Sequence, residues 1–121
     1  MHIQFAELPV FDQDRAKSFY VEHFGCRVVA DQPMGRNGRR WIELKFEGAE
    51  TTLHFLPRND ESPSAEPVLV LVDDDVEGIV TALESQGVEI VTRPKEAPWQ
   101  PSRMIAEFRD SEGNRVVLSS R

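Results

Sequence analysis

The second half of this chain repeats the hydrophobic and turn pattern of the first half. A shift of 62 positions superposes Val10 on Val72, Asp12 on Asp74, Gly25 on Gly87, Phe46 on Phe108 and Glu50 on Glu112. A unit of about 60 residues buries too little surface to be comfortably stable alone. The repeat therefore predicts two duplicated units that share a core or complete one in a dimer.

Hydrophobic periodicity predicts the same order of elements in both units, a strand, a helix and three further strands. The predicted elements of the first unit are a strand at 3–10, a helix at 12–24 and strands at 26–31, 40–48 and 51–56. Those of the second are a strand at 67–72, a helix capped by Asp74 and ended by Gly87, and strands at 88–92, 103–108 and 114–119, with a proline-rich loop at 93–102. This pattern predicts an α+β fold of two tandem βαβββ modules, at 1–57 and 67–121, joined by a connector at 58–66.

Composition excludes several classes of function. The chain of 121 residues has 21 acidic and 14 basic side chains and a net charge of −7, which disfavours a nucleic-acid partner. It has neither a long apolar run nor a signal-like N-terminus, so we expect no membrane partner. A single cysteine, Cys26, excludes intrachain disulfides and favours a cytoplasmic location. The acidic balance favours a neutral or cationic small-molecule partner.

Two segments resemble a known family. LPVFDQDRAKSFYVEHFGCRV at 8–28 and FRDSEGNRVVL at 108–118 are similar to the vicinal oxygen chelate superfamily, also described as glyoxalase/bleomycin-resistance/dioxygenase proteins. The resemblance covers essentially the whole chain, as a single domain at 1–121. It implies curved mixed sheets around an open cavity, commonly completed by a second chain, so we expect a homodimer.

Strand alternation assigns residues to the two faces of each predicted sheet. The set expected to pack under the first helix is Ala6, Leu8, Val10, Ile42, Leu44, Phe46, Leu53 and Phe55, and the set under the second is Val68, Val70, Val72, Met104, Ala106 and Phe108. The opposite faces carry Phe5, Glu7, Trp41, Glu43, Lys45, His54, Arg103, Ile105, Glu107 and Val117. The family resemblance implies that these opposite faces line the cavity.

The resemblance also implies four metal-ligand positions, which fall on Phe5, His54, Pro67 and Val117. Only His54 carries a metal donor, whereas catalytic sites of this kind need about three protein ligands. We therefore expect no metal and no other cofactor. Segments LHFLPR at 53–58 and APWQPSRM at 97–104 are similar to the metal-free branch that includes bleomycin-resistance proteins.

The predicted function is metal-independent sequestration or resistance-type binding of a neutral or cationic aromatic ligand. Tryptophans offer flat surfaces for stacking, carboxylates a negative potential, and His54 and Arg103 directional hydrogen bonds. The predicted ligand-binding residues are Phe5, Glu7, Trp41, Glu43, His54, Trp99, Arg103 and Glu107. For Trp99 the alternative is that it covers the rim of the second sheet and touches no ligand.

Two enzymatic alternatives remain open. One is a metal-dependent lyase, isomerase or dioxygenase with an atypical site built on His54 with Glu7 or Glu43. The other is a metal-free enzyme in which Glu43 or Glu107 performs acid–base chemistry near His54, since the pKa values of carboxylates in a cavity can be shifted toward neutrality.

Overall fold

A computed structural model describes residues 1–35, 37–58, 62 and 64–121. The elements are β1 (Phe5–Val10), α1 (Gln13–Phe24), β2 (Arg27–Pro33), β3 (Arg40–Lys45), β4 (Thr52–Pro57), β5 (Pro67–Val72), α2 (Val76–Ser85), β6 (Ile90–Ala97), β7 (Gln100–Arg109) and β8 (Arg115–Ser119). The predicted duplicated βαβββ order is confirmed. The contacts divide the chain into two compact units, unit 1 (Met1–Glu61) and unit 2 (Ser62–Arg121). Positions 59–61 and 63 of the predicted connector lie outside the described residues.

Each unit contains one mixed four-stranded sheet. The strand order is β1-β4-β3-β2 in unit 1 and β5-β8-β7-β6 in unit 2. The first and last strands of each unit pair in parallel, and the other neighbours pair antiparallel. In unit 1 this register places His54 on β4 directly between Glu7 on β1 and Glu43 on β3.

Helix α1 begins and ends where the sequence predicts. The Asp12 side chain accepts a hydrogen bond from the backbone N–H of Arg15, and Gly25 ends the helix in the left-handed region at φ 64°. Ala16, Phe19 and Tyr20 are the buried residues of α1. The buried apolar strand residues of unit 1 are Leu8, Val10, Ile42, Leu44, Leu53 and Phe55, whereas Ala6 and Phe46 of the predicted set are half-buried.

Helix α2 begins one residue later than predicted, and the N-cap is Asp75 rather than Asp74. The Asp75 side chain accepts from the backbone N–H of Gly78 at 3.1 Å. This start places Val76, Val80 and Leu83 on one helical face, and all three are buried. In a run of three aspartates any member is a good cap, so burial of the apolar face decides between them. Within the described residues no helix is long and apolar enough to span a membrane.

The predicted facing of β5 was wrong. Val70 and Val72 are 61% and 51% exposed, although strand alternation predicts both under the second helix. A register shift between Pro67 and Leu69 pairs Leu69 with Val116 and Leu71 with Leu118, and these two β8 residues are buried. The strand PVLVLV is apolar at every position, so alternation carried no information about its facing.

The predicted loop at 93–102 is mostly strand, and only Pro98 and Trp99 separate β6 from β7. Three prolines suggested the loop, but Pro98 lies in the turn, and the other two occupy strand positions that tolerate proline. Pro94 lies on the edge strand β6, and the register between β7 and β8 begins only at Ile105, beyond Pro101. Three register shifts between β6 and β7 mark bulges in this hairpin.

A charged network joins α1 to β2 and β3 in unit 1. The guanidinium of Arg40 donates to Asp31 and to Asp14 at 2.8 and 2.7 Å, and the ammonium of Lys17 donates to Asp31 at 2.8 Å. Hydrogen bonds from Arg40 first, and then from Lys17, lower the pKa of Asp31. The side chain of Gln13 also bonds both backbone groups of Arg40.

Candidate functional site

Unit 1 presents an aromatic and acidic surface on the side of its sheet opposite α1. This surface, called here the unit 1 face, comprises Phe5, Glu7, Trp41, Glu43, Thr52 and His54. Its members alternate along β1, β3 and β4 with the buried residues that pack against α1, so they point to the opposite side. Five of the predicted ligand-binding residues therefore share one face.

The three rings of the unit 1 face form a contiguous cluster. The ring centroids of Trp41 and His54 are 3.9 Å apart with an interplanar angle of 32°. The Phe5 ring lies 5.1 Å from His54 and 5.8 Å from Trp41, the second contact being edge-to-face. His54 is only 6% exposed, whereas Phe5 and Trp41 are half-buried. The rings thus hold one another in fixed orientations.

Hydrogen bonds orient each polar group of this face. Nδ1 of His54 lies 2.8 Å from a carboxylate oxygen of Glu7, which directs the Nδ1 proton toward the acid. Both oxygens of Glu43 accept hydrogen bonds at 2.8 Å, one from the Trp41 indole N–H and one from the Thr52 hydroxyl. Nε2 of His54 is buried and has no hydrogen-bond partner among the described residues. Thr52 is absent from the predicted site, although strand alternation from His54 would have placed it there.

Unit 2 contains a pocket of about 300 Å³ on the corresponding side of its sheet. This cavity, called here the unit 2 pocket, is lined by Pro67, Thr92, Lys95, Pro98, Trp99, Ile105, Ala106, Glu107 and Val117. Trp99 occupies the β6–β7 turn and is 66% exposed. The predicted residues Trp99 and Glu107 therefore meet in one cavity. Lys95 was missed because it fell in the predicted loop at 93–102, and Thr92 was missed because no face was assigned to the predicted strand at 88–92.

The carboxylate of Glu107 is neutralised within unit 2. The guanidinium of Arg115 donates to its two oxygens at 3.1 and 3.0 Å, and the Thr92 hydroxyl lies at 3.4 Å. The hydrogen bond to Glu107 raises the pKa of Arg115. Arg103 lies on β7 outside the pocket lining and donates to the Ser119 hydroxyl at 3.2 Å. Its Nε is buried without a partner among the described residues.

The residues at the family's metal-ligand positions do not fit a metal. In unit 1, Phe5 has no donor and His54 directs Nδ1 to Glu7. In unit 2, Pro67 and Val117 contribute apolar surface to the pocket. In the part of the chain that the structure describes, no three His, Cys, Asp or Glu side chains are grouped so that they could hold a metal ion.

The fold and these faces define a class, duplicated βαβββ proteins with an aromatic surface on one sheet and an apolar pocket on the other. The model of the Glyoxalase/Bleomycin resistance protein/Dioxygenase superfamily matches residues 2–118, and the chain belongs to that superfamily. The family resemblance in the sequence is thereby confirmed.

Individual relatives agree with this assignment. The chain is 32% identical over 111 residues to the uncharacterized protein YetH of Bacillus subtilis (strain 168), covering 90% of this chain and 89% of YetH. It is 36% identical in sequence to TnmS3, an antibiotic binding protein from Streptomyces sp. CB03234. The crystal structure of TnmS3 matches this fold with a TM-score of 0.82, over 99% of this chain and 95% of TnmS3. A superfamily member from Sphaerobacter thermophilus DSM 20745 shares the fold, with a TM-score of 0.85 at 24% identity over 100% and 98% of the two chains.

Proposed function

We propose that this protein binds a neutral or cationic aromatic small molecule without a metal and acts by sequestration or resistance-type binding. The observation that carries the proposal is the ring cluster of Phe5, Trp41 and His54, flanked by the carboxylates of Glu7 and Glu43. A half-buried indole beside a buried imidazole offers a flat apolar surface, which favours stacking of a planar ligand.

The preference for a neutral or cationic ligand follows from the acids of the unit 1 face. The Glu7 side chain is 44% exposed, so its carboxylate can approach a ligand while it remains bonded to His54. No lysine or arginine side chain is bonded to Glu7 or Glu43 within the described residues. A ligand cation over Trp41 would gain both from the ring quadrupole and from these carboxylates.

The similarity to TnmS3 supports a binding role, because that protein is described as antibiotic binding and shares 36% of its residues with this chain. Metal independence is supported by the donor set, in which Phe5, Pro67 and Val117 replace three of the four expected ligands. We further propose that the protein is a homodimer and that it is located in the cytoplasm. Native mass spectrometry of the freshly purified protein measures dimer mass, bound metal and co-purified ligand together.

Binding at the unit 1 face can be tested with 2-naphthylmethylammonium as an aromatic cation. The Trp41 indole N–H signal in a ¹⁵N NMR spectrum should shift on titration, because this group lies within the ring cluster. Glu7→Gln should weaken binding about three- to tenfold through the lost charge. Glu47→Gln removes the same charge from an exposed turn position and should leave affinity unchanged. An unshifted Trp41 signal, or equal affinity in Glu7→Gln, would contradict the proposal.

Metal independence needs its own measurement. The protein is incubated with Zn²⁺, Ni²⁺, Mn²⁺ or Fe²⁺ and analysed by native mass spectrometry after desalting. Retention of one metal ion per chain would overturn the metal-free proposal. If His54→Ala then abolished metal retention, an atypical metal site around His54 would replace the metal-free proposal.

The Glu7–His54 hydrogen bond favours acid–base catalysis as a second candidate function. A carboxylate bonded to Nδ1 makes Nε2 the proton acceptor of the pair. The acids of the earlier hypothesis are engaged differently, since Glu43 accepts from Trp41 and Thr52, and Glu107 from Arg115. An unchanged mass and an unchanged chromatographic retention of every co-purified ligand after prolonged incubation would exclude this candidate.

A further inference from the structure

We propose that Asn37 is a covalent modification site, at which the side-chain amide is converted to a carboxylate after attack by the backbone nitrogen of Gly38. The site lies in the loop at 34–39 between β2 and β3. The reaction needs only solvent water, so the inference does not depend on the function proposed for the unit 1 face. Its products are an aspartate or an isoaspartate at position 37.

Both residues of the pair are open to solvent. Asn37 and Gly38 are exposed and belong to no helix or strand. Among the described residues neither one takes part in a hydrogen bond. The hydrogen bond across their loop joins the backbone N–H of Met34 to the carbonyl of Arg39 at 2.8 Å. Rotation of the Asn37 side chain toward the Gly38 nitrogen therefore breaks no hydrogen bond that the structure shows.

Gly38 presents its backbone nitrogen with little steric hindrance. Its φ of 69° is a left-handed conformation that glycine adopts at no steric cost. An added Cβ at Gly38 would meet no neighbouring heavy atom within 4 Å. The ring that this nitrogen closes with the Asn37 side chain therefore meets no obstruction on that side of the loop.

The reaction balances with water as the only reactant consumed besides the amide. Hydroxide removes the N–H proton of Gly38, the nitrogen bonds to Cγ of Asn37, and the Cγ–Nδ2 bond breaks. Nδ2 leaves as ammonia after it takes a proton from water, which regenerates the hydroxide. Water then opens the succinimide ring. Opening at Cγ yields aspartate, and opening at the backbone carbonyl carbon yields isoaspartate, in which the main chain runs through Cγ.

Asn114, between β7 and β8, provides the comparison within the same chain. It is 1% exposed, and its Nδ2 donates to a carboxylate oxygen of Asp110 at 3.1 Å. The following backbone N–H, that of Arg115, donates to the Ser64 hydroxyl at 2.8 Å. The same reaction at Asn114 would break both bonds, so we expect this amide to persist. Asn59, the third asparagine of the sequence, lies outside the described residues.

The modification changes the charge of a cavity in unit 1. This cavity has a volume of about 620 Å³, and its lining includes Asn37 together with three arginines and two aspartates. The new carboxylate makes the numbers of acidic and basic lining residues equal, and it changes the net charge of the chain from −7 to −8. Arg39, which has no ionic partner among the described residues, is two positions from the new acid and can pair with it.

Peptide mapping of the full-length protein tests the assignment after incubation at about pH 6 and about pH 8, with pepsin digestion at acidic pH. The peptide containing Asn37 should gain one dalton and separate into two products of equal mass, the aspartate and isoaspartate forms. Its rate should rise about tenfold per pH unit, because the attacking nitrogen must first lose a proton. An unchanged Asn37 peptide, or modification of Asn114 as fast as that of Asn37, would overturn the inference.

Two glycine variants identify the attacking nitrogen. Gly38→Ala places a Cβ beside this nitrogen and should slow the modification about tenfold. Gly35→Ala is the matched control, because Gly35 has a φ of 79° in the same loop and its added Cβ would also lie in open space. It imposes the same kind of backbone strain but should leave the rate within about twofold. Equal slowing by both variants would contradict attack by Gly38.

Two variants of Asn37 calibrate the change of charge. On anion exchange, the incubated protein should develop a later-eluting fraction at the position of Asn37→Asp, which carries the aspartate product from the start. Asn37→Gln should form this fraction far more slowly, because its longer side chain closes a larger and less favourable ring. An unchanged Trp41 indole N–H signal checks that both variants are folded. Formation of the acidic fraction in Asn37→Gln at the rate of the unmodified sequence would overturn the inference.

Discussion

The two units share one fold but present opposite chemistry on corresponding sheet faces. The internal repeat places Phe5 on Pro67, Trp41 on Arg103 and Glu43 on Ile105. Unit 1 thus has aromatic rings flanked by acids, whereas unit 2 has a mostly apolar pocket whose charged lining residues are Lys95 and Glu107. The repeated features are the element order and the helix-facing core, so the fold constrains those positions and leaves the opposite face free to vary.

The largest expected effect tests whether the two cores are equivalent. Phe55 in unit 1 and Phe108 in unit 2 are 1% and 0% exposed, so replacing either with alanine creates a cavity under a helix. Each substitution should lower the free energy of unfolding by about 3–5 kcal/mol, measured by urea denaturation. Leu56→Ala, at an exposed position of β4, is the control and should cost far less. A loss below about 1 kcal/mol in only one unit would break the equivalence of the cores.

The next comparison concerns one acid from each unit, Glu43 and Glu107. Glu107→Gln should lower the free energy of unfolding by about 1–2 kcal/mol, because the substitution removes the buried carboxylate and Arg115 loses its ionised partner. Glu43→Gln should cost less, about 0.5–1 kcal/mol, since an amide oxygen can still accept one bond from Trp41 or Thr52. The pair is measured by urea denaturation at neutral pH. A larger loss of unfolding free energy for Glu43→Gln than for Glu107→Gln would contradict the expected order.

A smaller effect on stability distinguishes the Arg40–Asp31 ion pair of unit 1 from the Arg93–Glu84 ion pair of unit 2. Arg40 and Lys17 lower the pKa of Asp31 in unit 1, so the folded state is stabilised while this acid is ionised. That stability is fully present above the ordinary aspartate pKa of 3.8 and is lost as the pH falls through the lower folded pKa. Arg40→Gln should cost about 0.5–1 kcal/mol at pH 7 and progressively less below pH 3.8.

The matched control in unit 2 is Arg93→Gln. Arg93 pairs with Glu84, and both side chains are exposed, so solvent screens the pair. Chemical denaturation from pH 7 to pH 2.5 should show no measurable change for this variant. An Arg40→Gln cost that stays constant over the same range would contradict the role given to Asp31.

The sequence predicted most of the fold because its main signals were local. Alternation in RWIELK separated Ile42 and Leu44 from Trp41 and Glu43, and Asp12 with Gly25 marked both ends of α1. The same logic placed five residues of the unit 1 face together. Their hydrogen bonds were not predictable, because the choice of Glu7 rather than Glu43 as the partner of His54 depends on rotamers and strand register.

Unit 2 was predicted less well for physical reasons that its sequence shows. β5 is apolar at every position, so Val70 and Leu71 could not be told apart by alternation. Bulges in β6 changed the facing of residues between Thr92 and Lys95, and this hid the pocket lysine. The pairing of Glu107 with Arg115 depends on the β7–β8 register, which places the two side chains within reach across strands.

The smallest expected effect tests the corrected facing of β5. Val70 is 61% exposed, so Val70→Thr should change the free energy of unfolding by less than about 0.5 kcal/mol. Leu71→Thr places a hydroxyl beside buried Leu118 and should cost more than 1 kcal/mol, about the penalty for burying an unpaired polar group. Val70→Thr keeps a β-branched residue and Leu71→Thr introduces one, so strand propensity cannot explain a larger loss in Leu71→Thr, and urea denaturation reports on burial. If Val70→Thr cost more than Leu71→Thr, Val70 rather than Leu71 would lie on the helix-facing side of β5, as alternation predicts. In that case β5 would bury the same alternating positions as β1.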